Sequence, residues 1–115
     1  MSIAVGADAF LGGLDRLGYQ IETRDGFALF DFVVPLGTLI GEHVRLGLCI
    51  PGDFPLTPPP GPHISPRIGH PDQAVHPSPL GPEWEYWSRP ISHWARTDRS
   101  VRTYMAHIRQ LFAQR

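Results

Sequence analysis

The chain of 115 residues contains a single cysteine, Cys49. A lone thiol excludes an internal disulfide and any zinc cage built from cysteines. Charge is also scarce: 18% of residues are ionisable Asp, Glu, Lys or Arg, the formal net charge is −1, and the isoelectric point is near 6.6. That balance offers no broad positive field for nucleic acid or for an anionic membrane. No apolar run approaches the roughly 20 residues of a membrane-spanning helix. The opening MSIAVGADAF lacks the basic start and sustained apolar stretch of a signal peptide. The expectation is a cytoplasmic protein whose partner is neither nucleic acid nor membrane. No internal repeat or second domain is legible, so residues 1–115 are expected to form one domain around a modest core.

What is present is apolar periodicity and proline. Phe10, Leu11, Leu14 and Leu17 recur at helical spacing within GADAFLGGLDRLG, with Asp8 placed to cap and Gly18 to stop the helix. Gly12 and Gly13 each weaken such a helix by roughly 1 kcal/mol. YQIETR and FALFDFVV then flank Asp25-Gly26, a strong hairpin signal because a type I′ turn needs positive φ. In HVRLGLCI, Val44, Leu46, Leu48 and Ile50 alternate with His43, Arg45, Gly47 and Cys49, as a strand with one covered face requires. Near the end, Val101, Tyr104, Met105, Ile108, Leu111 and Phe112 form the apolar stripe of an amphipathic helix, with Thr97 or Asp98 as its cap. Five arginines against one acid after residue 95 read as the solvated side of that helix. The fold class is therefore α+β: an antiparallel meander of three to four strands with an N-terminal and a C-terminal helix.

Between 50 and 71, IPGDFPLTPPPGPHISPRIGHP holds eight prolines. Proline removes a donor and restrains φ, so neither a helix nor a central strand is expected from 51 to 82. The interleaved Ile50, Phe54, Leu56, Ile64 and Ile68 favour a rigid strap laid over the sheet. The alternatives are an exposed ligand for proline-binding modules or disorder. Trp84, Tyr86, Trp87 and Trp94 follow within eleven residues. Trp87 and Trp94 are expected to fasten their loop to the sheet and last helix, with Phe54, Pro55, Pro58, Pro59, Tyr104 and Ile108 as further structural residues. A tryptophan left exposed beside Arg89 would suit a binding surface.

PGDFPLTPPPGPHISP resembles the segment of ubiquitin-conjugating enzymes in which the third strand enters a P-x-x-F-P-x-x-P-P turn. GHPD at 69–72 falls near that family's His-Pro-Asn motif, and EYWSRPISHWARTDRSVRTYMAHIRQLF is similar to its loop and following helix. The nearest likeness is to a small prokaryotic branch with recurrent W-x-x-W-S-R, found alongside ubiquitin-like, activating-enzyme-like and metallopeptidase proteins. The resemblance covers about residues 19–112. It implies a UBC-like fold and a protein partner, ubiquitin-like or activating-enzyme-like, with no cofactor and no metal.

The resemblance also shows what is missing. The family carries cargo as a thioester on a cysteine shortly after the His-Pro-Asn motif, because thiolate is both nucleophile and leaving group. No cysteine lies between His70 and Trp94; the corresponding QAVHPSPLGPEW offers His76, Ser78 and Glu83. Ser78 would form a less reactive ester and has no evident base in the sequence. Asp72 stands where the family's asparagine would stabilise an oxyanion, and a carboxylate there opposes negative charge. Cys49, within an apolar strand, reads as buried filler. Cys49, His76 and His93 are the remaining candidates for chemistry, and Trp84, Tyr86, Arg89, His70 and Asp72 for binding. His63, His70 and His76 are spaced unlike a compact metal motif. The expectation is a pseudoenzyme, a conjugating-enzyme-like protein that binds proteins without thiol chemistry. An active enzyme with a displaced nucleophile and a stand-alone proline-rich module are the alternatives.

Overall fold

Helical spacing of Phe10 and Leu14 produces α1, Ala7–Arg16, in the computed structural model, which describes residues 6–70 and 74–114. The cap is Gly6 rather than Asp8. Asp8 lies within the first turn, where a carboxylate faces the positive end of the helix dipole. Gly13 has a packing reason: a Cβ there would collide with the Val101 side chain, so glycine lets α1 and the last helix meet closely.

Asp25 and Gly26 both adopt positive φ (53° and 83°), making the tight turn between β1, Glu22–Arg24, and β2, Phe27–Val33. Thr23 pairs with Ala28 across that hairpin. β3, His43–Cys49, pairs with β2 from Phe27↔Cys49 to Val33↔His43, and its alternation is as the pattern requires: Val44, Leu46 and Leu48 are buried.

The sheet is larger than the expected three or four strands. It has six, all antiparallel, in the order β1-β2-β3-β4-β6-β5. The additional strands are β4, Pro62–Ser65; β5, Val75–Pro77; and β6, Glu85–Trp87. β4 is interior to the sheet, so the expectation that no central strand survives the prolines is corrected. Pro62 occupies the first position of β4, and three residues with intact donors follow before Pro66. Pro77 ends the edge strand β5, where a missing donor costs little.

Part of the expected strap is a strand instead: Pro62–Ser65 does not lie over the sheet but forms β4 within it. Residues 51–61 connect β3 to β4, and 62–65 enter the plane of the sheet. Phe54 is buried against Phe10 (ring centroids 5.2 Å) and Trp94 (6.0 Å). Pro59 is buried, Pro58 half-buried and Pro55 exposed, while Leu56 faces solvent.

α2, Val101–Ala113, buries all six residues of its stripe. Its cap is Ser100, which accepts from the Thr103 amide at 3.1 Å, rather than Thr97 or Asp98. The Asp98 carboxylate instead accepts from the Ser100 (2.8 Å) and Thr103 (2.6 Å) hydroxyls, bracing the cap from outside. Both helices contribute to one core with the inward residues of the sheet, including Phe30, Leu46, Ile64 and Trp87. Among the described residues, no helix is long and apolar enough to cross a membrane.

Candidate functional site

Strand alternation places Ile64 and Glu85 in the buried layer and turns His63, Tyr86 and their cross-strand neighbours to the opposite face. Leu29, Gly47, His63, Tyr86 and His76 thereby form one row across five strands. Gly47 is the gap in that row. A Cβ there would stand 2.6 Å from Leu80 Cδ1 and 3.4 Å from the Trp84 ring, so glycine admits the 78–84 connection onto this face. The Arg24 guanidinium donates to the Leu80 carbonyl at 3.3 Å and ties the same connection to β1.

His63 lies beneath this cover, 6% exposed. Its ring stacks on Tyr86 (4.6 Å, 26°) and meets the edge of Phe27 (4.8 Å, 82°). His63 Nδ1 is 2.7 Å from Ser78 Oγ, and the Leu80 amide donates to the same oxygen at 3.1 Å. Burial pushes His63 down to about 4, so its imidazole is neutral at neutral pH. Because Ser78 Oγ already accepts from the Leu80 amide, its own O–H is free to donate to Nδ1, which places the ring proton on Nε2.

A pocket of about 260 Å³ opens beside the pair, bordered by Arg67, Val75, His76, Ser78, Trp84 and Glu85. Glu85 is a buried brace: its Oε2 accepts from the Gly69 amide and from Trp87 Nε1, each at 2.7 Å. A second pocket of about 400 Å³ lies between α1 and the start of α2, with Arg16, Phe54, Arg99 and Arg102 in its walls.

The residues singled out in the sequence are dispersed. Trp84, Tyr86 and His76 belong to the outer face with Ser78; Trp84 and Tyr86 are half-buried, and His76 is exposed. His70 is interior: it hydrogen-bonds through Nε2 to the Leu111 carbonyl (3.1 Å) and packs edge-on to Trp87. Arg89 sits toward α2, its carbonyl accepting from His107 Nε2 at 2.8 Å. His93 is exposed ahead of the single 3-10 turn at Trp94–Arg96. Asp72 lies outside the described residues. Cys49 ends β3, half-buried rather than enclosed, and lines neither pocket. His63, His70 and His76 have separate surroundings, and the described residues hold no group of three His, Cys, Asp or Glu placed to bind a metal.

Sequence reasoning misses the pairing of His63 with Ser78. No imidazole adjoins Ser78 in the sequence, yet His63, fifteen residues earlier on β4, is hydrogen-bonded to it. The available signal was alternation: with Ile64 committed to the core, His63 must face outward, over the connection that follows β5. Comparison of the chain with models of protein families, with curated proteins and with solved structures finds no match.

Proposed function

We propose that this chain is a protein-binding component of a prokaryotic ubiquitin-like modification system, built on a conjugating-enzyme-like architecture without thiol-based transfer. One observation carries the reading. Trp94 Nε1 donates to the Pro55 carbonyl at 2.8 Å, joining the proline turn to the tryptophan loop across thirty-nine residues of sequence. Those are two of the three segments on which the resemblance rests, and they pack together around Phe54. Two further features fit. Cys49, the one thiol, ends β3 and lines neither pocket. The chain contains no lysine, so it offers no ε-amino group on which a ubiquitin-like partner could be lodged.

The partner surface is the outer face around Trp84 and Tyr86, where the half-buried Trp84 lines the same pocket as Arg67. A stand-alone proline-rich module fits less well, because Pro59 and Pro62 are buried, 62–65 pair with β3, and His63 and Ile64 pair with β6 as well. Sequencing the genes that flank this one, then titrating the labelled chain with any ubiquitin-like or activating-enzyme-like protein found there, tests the reading. Saturable binding that weakens about tenfold or more in Trp84→Ala is expected. Absence of any such neighbour, or of binding to those found, overturns it.

A further inference from the structure

Ser78 and His63 constitute a second, chemical feature of the outer face, independent of the conjugating-enzyme reading. We infer that Ser78 is an acylatable nucleophile, activated by His63, that accepts an activated acyl group from an ester or thioester bound in the adjoining pocket. Three geometric facts carry this. The hydroxyl and the imidazole are at 2.7 Å, within proton-transfer distance. The imidazole is immobilised between Tyr86 and Phe27, so its lone pair is held on Ser78 rather than sampling rotamers. Ser78 itself is set between Pro77 and Pro79 and anchored by the Leu80 amide, with its side chain on the pocket wall.

The step balances without any further cofactor. Ser78 Oγ forms a bond to the acyl carbonyl carbon while its proton passes to His63 Nδ1. The tetrahedral intermediate then expels the alkoxide or thiolate, which takes that proton, leaving an acyl-serine and a neutral imidazole. Water repeats the sequence to release the acid. Arg67, on the pocket wall with its guanidinium near the Pro82 carbonyl (3.5 Å), supplies positive charge for the developing oxyanion. Burial leaves His63 neutral and Nδ1 able to accept at physiological pH, but it also weakens the imidazole as a base, so activation rests on the fixed 2.7 Å geometry. The other titratable or charged groups bordering the pair are His76 and Tyr86 on β5 and β6, Glu85, and Arg67.

The test uses p-nitrophenyl acetate and the acetyl thioester of N-acetylcysteamine on the full chain, read by intact mass and peptide mapping. One acetyl group on Ser78 is expected with at least one donor, and none in Ser78→Ala. His63→Gln is expected to slow acylation about 100-fold while melting cooperatively. Because a substitution at a covered histidine can perturb folding, Ser78→Cys provides a second arm. With His63 intact it should become the preferred acyl acceptor and form a hydroxylamine-labile thioester faster than Cys49 does. Folded wild type that acquires no acyl group at Ser78 from either donor overturns the inference, as does a Ser78→Cys thiol no more reactive than Cys49. Neither outcome depends on a ubiquitin-like partner, so this inference and the proposed function fail separately.

Discussion

The three tryptophans show how much a single side chain's surroundings decide. Trp87 is fully buried and donates to the Glu85 carboxylate, so it carries both apolar area and a charge-assisted bond. Trp87→Phe should cost about 2–3 kcal/mol, since it also leaves a buried carboxylate short of a donor. Trp94→Phe gives up a bond to a neutral carbonyl and should cost about 1 kcal/mol, both variants being compared with wild type by urea titration. Equal losses would contradict the assignment of Glu85 as a brace. His63 makes a different prediction, in pH. Its folded pKa, about 4, lies below the ordinary 6.5, so the unfolded chain binds more protons between those values. Stability should therefore be full above pH 6.5 and decline as pH falls toward 4. The loss should be about 1–2 kcal/mol after allowance for solvent screening at the pocket edge. His63→Phe, which keeps the aromatic packing, should flatten that decline; an unchanged pH profile would remove His63 as its origin.

At the level of elements, local preference and packing sometimes disagree, and the disagreements are measurable. Helix propensity alone says that Gly13→Ala should stabilise α1 by about 1 kcal/mol. The Val101 side chain occupies the space that the new methyl needs, so destabilisation by about 1–3 kcal/mol is expected instead. A rise in melting temperature would show that α1 and α2 are less closely apposed than the structure has them. α2 depends on its start: Ser100→Ala should cost about 1 kcal/mol through loss of the bond to the Thr103 amide. Asp98→Asn should destabilise in the same direction, because the ionised carboxylate accepts both hydroxyls and is held below the usual carboxylate range chiefly by Thr103, then Ser100. The β1–β2 turn is the case where local chemistry and tertiary structure agree, since Asp25-Gly26 already prefers the geometry the hairpin uses.

For the whole molecule, the deciding feature is that β4 sits inside the sheet, joining the meander to the β5–β6 hairpin. Native-state hydrogen exchange should place the His63 and Ile64 amides among the slowest in the chain, opening only with global unfolding, while Leu56 exchanges faster. Rapid exchange throughout 55–66 would mean that the proline-rich stretch stands apart from the core. The two helices, the first hairpin and β3 were legible from residues alone, because their signals are local: periodicity of 3.6 or 2, and a turn that demands positive φ. β4, β5 and β6 were not, since prolines mask short strands and a three-residue strand has too few positions to show alternation. Thus the sequence by itself determined the apolar stripes, the tight turn and the scarcity of thiol. Only the tertiary structure decided that a proline-flanked tetrapeptide becomes an interior strand. It also decided that His63 and Ser78 meet, because long-range strand pairing brings together side chains whose separation in the chain carries no local signal.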